Sequence, residues 1–126
     1  MLSEPMTLYK LKDCKWSVKM LSEPKTLYKL MNLYMLKKVN FPLTNAQLTD
    51  FFLQHEYASY FTLQQALGEL KDSGLIHAES THSTTRYEIT REGEDTLSFF
   101  GSNISPAIVS DIDGYLKENK FRLRSE

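Results

Sequence analysis

The chain has 126 residues, a length that fits one domain around one core rather than two. Hydrophobic residues make up 41% and charged residues 25%, close to an ordinary globular protein; no apolar run approaches the ~18–20 residues that cross a bilayer, so no membrane span is expected. Net charge is −1 but uneven: residues 1–38 carry eight Lys against three acids, the remainder seven basic groups against thirteen acids, which counts against strong nonspecific binding to DNA.

The chain opens on a repeat. Residues 1–11 read MLSEPMTLYKL and residues 20–30 read MLSEPKTLYKL, differing at one position. Two copies do not make a solenoid, which needs several stacked units. One reading is a redundant duplicated leader over residues 1–19. The other is a functional arm, because Lys10, Lys12, Lys15 and Lys19 flank Trp16 and suit phosphate or a partner groove. Met1-Leu2-Ser3-Glu4-Pro5 lacks the pattern of a secretory signal. Cys14 is the only cysteine, so an internal disulfide is excluded and the cytoplasm is the expected compartment.

The second copy begins a predicted domain over residues 20–126. Ser22 is placed to cap a helix, Pro24 suits its first turn, and Leu27, Leu30, Met31 and Tyr34 recur at helical spacing until Asn40-Phe41-Pro42. Thr44 and Gln47 have capping-box spacing, and Leu43 with Leu48 that of a hydrophobic staple. They predict a second helix from about Asn45 to His55 that buries Leu48, Phe51 and Phe52. Thr62 and Gln65 suggest another capping box, opening a third helix with Leu63, Ala66, Leu67 and Leu70 on one face. Gly74 stands where a left-handed cap is wanted, with Leu75 closing back onto the helix.

Residues 75–79 and 86–90 then alternate as short strands around the polar turn Ser80–Thr85, a two-stranded hairpin or wing. Thr90 caps a fourth helix reaching about Phe100 and burying Leu97 and Phe100. Ser105-Pro106 starts a fifth, with Ile108, Val109, Ile112 and Leu116 in step. The tail Phe121–Glu126 is too short to assign. The expected class is mainly α with a small two-stranded wing (α+β), a winged helix-turn-helix.

Leu67-Gly68-Glu69-Leu70, Gly74-Leu75-Ile76 and Tyr87-Glu88-Ile89-Thr90-Arg91-Glu92-Gly93 with Leu97 resemble the helix-wing-helix signature of PadR-like and MarR-like bacterial repressors. The segments LSEPKTLYKL, NFPLTNAQLTDF, YFTLQQAL, GLI, YEIT and DIDGYLKENK are closer to an uncharacterised winged-helix family of Firmicutes, a domain of unknown function. That resemblance covers residues 20–126 and implies the fold without an activity. Members of that family continue past the position of Glu126 into a strand-rich segment and lack the duplicated leader. The resemblance therefore implies a relative shortened at one end and extended at the other.

In such a protein the third helix enters the major groove and the wing meets the backbone or minor groove. With its apolar face inward, that helix would present Gln64, Gln65, Gly68, Glu69 and Asp72, with Lys71 on a flank. Glutamine pairs bidentately with adenine, which makes Gln64 and Gln65 candidate base readers unless the cap occupies Gln65. Asn45, Gln47, Thr62, Lys71, Arg86 and His82 complete the expected DNA-binding or partner-binding set, His82 gaining charge below neutral pH. Lys37, Lys38 and Arg91 are further candidate phosphate contacts. Glu69 and Asp72 would repel phosphates by about 1 kcal/mol each in water-like surroundings.

His55, His77 and His82 lie in separate elements, no pair has metal-ligand spacing, and no glycine-rich phosphate loop is present. No enzyme, cofactor or metal is expected. The rival to double-stranded DNA is a basic protein partner, met by the acidic body of an adaptor or of an inhibitor encoded by a mobile element. Adjacent Phe51/Phe52 and Phe99/Phe100 cannot both point inward from one helix face. They suggest a second buried surface and so a homodimer through Phe99, Ile104, Ile108, Ile112, Tyr115 and Leu116 on the last two helices.

Overall fold

The computed structural model describes residues 24–125. The leader, Cys14, Trp16 and the expected cap Ser22 lie outside them. Six helices and three strands follow in order: α1 Pro24–Val39, β1 Leu43–Thr44, α2 Asn45–Gln54, α3 Tyr60–Asp72, β2 Ile76–Thr81, β3 Thr84–Ile89, α4 Arg91–Phe100, a 3₁₀ turn Gly101–Asn103, α5 Pro106–Glu118 and α6 Lys120–Ser125. The class is α+β, mainly helical with one small antiparallel sheet. Among the described residues no helix is long and apolar enough to cross a membrane.

Helix α1 is the centre of the packing. The predicted stripe buries Leu30 and Met31 but leaves Leu27 and Tyr34 half-buried, while Lys29, Asn32, Leu33, Met35 and Leu36 are buried too. A helix covered on nearly every side belongs inside a fold rather than on its surface. It packs against α3, α4, β3 and α5.

Local chemistry sets the boundaries around it. Thr44 and Gln47 form the predicted capping box: Thr44 Oγ1 accepts the Gln47 N–H at 3.0 Å, and Gln47 Oε1 accepts the Thr44 N–H at 2.8 Å. The predicted box at Thr62–Gln65 is replaced by an earlier cap. Ser59 caps α3 by accepting the Thr62 N–H, and Thr62 lies inside the helix. Helix α3 closes as expected on Gly74 at φ +78°, where the Leu75 N–H reaches the Leu70 carbonyl and the Gly74 N–H the Lys71 carbonyl.

The sheet is not the two-stranded one expected. Leu43–Thr44 pairs with Tyr87 and Arg86, making a three-stranded sheet of order β1-β3-β2. Two residues beside a capping box carry no alternation long enough to announce a strand. The hairpin is also tighter than expected, with Thr81 opposite Thr84 around His82-Ser83, and His82 in the left-handed region at φ +36°.

Both Phe51 and Phe52 are fully buried within the one chain. Successive helical residues diverge by about 100°, and here each direction meets its own neighbour. Phe52 sits edge-on to Tyr28 of α1 at 6.0 Å, and Phe51 packs against Tyr115 of α5 at 5.2 Å and Tyr57 at 5.8 Å. The adjacent pair therefore needs no partner subunit. Thr90 caps α4, which buries Phe100 but only half-buries Leu97 and Phe99. The unassigned tail forms α6, held by the buried Leu123, whose carbonyl accepts the Gln47 Nε2 hydrogen at 3.0 Å. A six-residue helix has little stability of its own, so this anchor explains why the local sequence did not predict it.

Three tyrosine–aspartate hydrogen bonds clasp α5 onto the body. Tyr34 donates to Asp113 at 2.7 Å, Tyr57 to Asp111 at 2.5 Å, and Tyr115 to Asp50 at 2.9 Å. Burial first, and the bonded carboxylate second, push each hydroxyl up to about 12. A folded pKa above the unfolded ~10 makes a contribution that is complete below pH 10 and is lost as pH rises towards 12. Spectrophotometric titration is expected to show three of the seven tyrosines ionising only as pH approaches 12 in the folded protein. Phenolate signal from all seven near pH 10 in folded protein would contradict the clasps.

Candidate nucleic-acid interface

The third helix and the elements flanking it carry the candidate site. Asn45, the first residue of α2, meets Gln64 of α3 side chain to side chain. Asn45 Nδ2 donates to Gln64 Oε1 at 2.7 Å and to the Tyr87 hydroxyl at 3.2 Å, while Gln64 Nε2 donates to Asn45 Oδ1 at 3.0 Å and Thr49 Oγ1 at 3.1 Å. Both ends of the Gln64 amide are engaged. The expected base reader is instead a strut that fixes α2, α3 and β3 relative to one another. Gln47, also expected at the interface, is buried at 3% exposure between the cap and α6 and faces no ligand.

Glu69 is corrected in the same way. Its carboxylate turns to α1, 2.6 Å from Lys29 Nζ and 2.8 Å from Lys25 Nζ, rather than toward a docked molecule. Burial alone would raise its pKa, but the hydrogen bonds and charges of the two lysines outweigh that and lower it. A lowered carboxylate pKa contributes stability above the ordinary carboxylate range and loses it as pH falls through the folded value. The Lys29 side chain is only 9% exposed, against 42% for Glu69. Removing the acid takes the carboxylate from a nearly buried ammonium. Glu69→Ala is expected to cost about 1–2 kcal/mol at neutral pH and much less under acid, by urea denaturation. An equal cost at both pH values would contradict the pairing.

The exposed surface of α3 that remains comprises Tyr60, Phe61, Gln65, Lys71 and Asp72 around Gly68. A Cβ added at Gly68 would meet no atom of the described residues within 4 Å, so among them this face is open at its middle. Thr62 is half-buried beside Ser59, and His82 is exposed at the hairpin turn. Arg86 is exposed on β3, in register with Glu79. Tyr60 and Phe61 are 58% and 70% exposed, with Leu53 at 47%. Phe61 lies across the helix from the buried Leu63, a spacing that marks it as exposed, whereas Tyr60 stands three residues before Leu63 and spacing alone does not separate it. A cavity of about 640 Å³ opens between the start of α2, the start of α3 and the hairpin turn, lined by Asn45, Thr49, Asp50, Leu53, Tyr60 and Ser83 among others.

The expected dimer residues are mostly spent inside the chain. Ile112 is fully buried, and Ile104, Tyr115 and Leu116 are 4%, 4% and 8% exposed; Phe99 and Ile108 are half-buried. Their apolar surface faces the chain's own core, so they present little to a second subunit.

The family described as a domain of unknown function, DUF4364, matches residues 28–126, most of the chain. The chain belongs to the DUF4364 family. No curated protein and no solved structure matches it. The matched span of the DUF4364 domain runs from the first helix through α6 and so contains every residue of the candidate interface.

Proposed function

We propose that this DUF4364 protein is a winged-helix DNA-binding protein that acts as a transcriptional regulator, with α3 as the element that enters the major groove. The element order supports the fold reading: helix, short strand, two helices joined by the five residues 55–59, then a hairpin whose second strand pairs with the short one. The observation that carries the functional reading is the face of α3. With Glu69 turned to α1 and no described residue above Gly68, the helix offers Gln65 for base edges, close approach at its centre, and Lys71 at its end. Arg86 and His82 are exposed on the hairpin, whose turn lies beside Tyr60 at the start of α3, and a wing in that position would meet the sugar-phosphate backbone.

Two cations per chain on this face imply weak, shallow salt dependence. Fluorescence anisotropy with a labelled random-sequence duplex is expected to give a log–log salt slope of roughly −2 for two phosphate contacts. The double substitution Lys71→Glu, Arg86→Glu should remove binding. Absence of duplex binding at low salt would reject the proposal. One observation favours a second reading, a module that docks on a basic protein. Leu53 and Tyr60 are exposed together beside Asp50, an apolar patch with an acidic edge, and Phe61 is exposed next to Tyr60 in the chain. That reading predicts no salt-dependent duplex binding, so the same titration separates the two.

A further inference from the structure

A second groove shares no residue with the α3 face. It lies between the C-terminal end of α1, the loop after it, α5 and α6, and encloses about 300 Å³. Val39, Phe41, Leu116 and Leu123 give it apolar walls, and among the described residues Lys38, Lys117, Lys120 and Arg124 supply four cationic groups against one carboxylate, Asp113. In a chain of net charge −1, such a concentration of positive charge is local and specific.

The walls are held in place without a ligand. Leu123 is buried and its carbonyl is tied to Gln47, which is itself locked in the α2 cap. The Arg124 guanidinium lies 5.0 Å from the centre of the Phe41 ring, closing α6 over the loop. The Asp113 carboxylate accepts the Tyr34 hydroxyl at 2.7 Å and stands 3.9 Å from Lys38 Nζ, so the single acid is already engaged at its edge. A volume near the lower end of the ~300–1,000 Å³ of small-molecule sites, with apolar walls and a few charged groups, suits a compact ligand rather than a macromolecule.

We propose that this groove binds a small amphiphilic anion, a carboxylate or phosphate monoester on a short apolar chain. The chain lies along Val39, Phe41, Leu116 and Leu123, and the headgroup meets the lysines and Arg124. The site is independent of the DNA reading, and its test uses no nucleic acid. Isothermal titration of the full-length protein with octanoate and with octyl phosphate is expected to give saturable binding. The tighter of the two identifies the headgroup. Octan-1-ol, which lacks the charge, and acetate, which lacks the chain, should each bind at least about tenfold more weakly, a difference of about 1.4 kcal/mol. The pair of substitutions Lys117→Glu and Lys120→Glu should weaken the anion at least about tenfold with the fold retained by circular dichroism, whereas Lys71→Glu on α3 should leave it as it is. No heat from either anion at millimolar concentration, octanol binding as tightly as octanoate, or indifference to the lysine reversals would overturn the proposal.

Discussion

Phe51→Ala is expected to lower the unfolding free energy by about 3–5 kcal/mol, the cost of emptying a large aromatic site. The ring is fully buried and lies within 5.2 Å of Tyr115, 5.5 Å of Phe52 and 5.8 Å of Tyr57, centre to centre. It therefore joins α2 to α5 and to the turn that precedes α3. Truncation removes apolar burial and leaves a cavity that three neighbouring rings cannot readily fill. Chemical denaturation measures it. A loss below about 1 kcal/mol would mean that the ring is not in this core, and the argument for a partner surface at Phe51 would return.

Two glycine-to-alanine changes should move stability in opposite directions. At Gly93, in the first turn of α4, an added Cβ would run into the backbone carbonyl oxygen of Leu75 and lie 2.7 Å from Ile89 Cγ1. The obstacle is backbone at the end of α3, where the Leu75 carbonyl also accepts the Thr90 N–H at 3.2 Å, so neither side can give way cheaply. Gly93→Ala is expected to cost about 3 kcal/mol, the upper part of the overpacking range. At Gly68 no described residue lies within 4 Å of an added Cβ, and alanine there should add about 0.5–1 kcal/mol through helix propensity alone. Thermal melts of the two variants check both signs. Equal effects would contradict the close approach of α4 to Leu75.

The sequence revealed what local chemistry controls. Thr44–Gln47, Gly74, Thr90 and Ser105–Pro106 mark their boundaries through short-range hydrogen bonds and backbone preference, and each holds in the structure. Long-range contacts were less legible. Strand β1 exists because β3 pairs with it, and α6 because Gln47 and the core receive Leu123. The face of α3 was half legible: the buried Leu63, Ala66, Leu67 and Leu70 follow from spacing, but nothing near Glu69 in sequence signals that Lys25 and Lys29 will neutralise it. Gln64 looked like a base reader for the same reason, its partners Asn45 and Thr49 being distant along the chain.

The central claim is that the outer surface of α3 is where this protein docks on a duplex, and two glycines make a matched test. Among the described residues, no atom lies within 4 Å of a Cβ added at Gly68 on α3 or Gly114 on α5, so glutamate fits at either without disturbing the core. Duplex binding by Gly68→Glu and Gly114→Glu should be compared by anisotropy in one low-salt buffer. The predicted result is a loss of at least about tenfold for Gly68→Glu and none for Gly114→Glu, with both variants folded. Wild-type affinity in Gly68→Glu would contradict it.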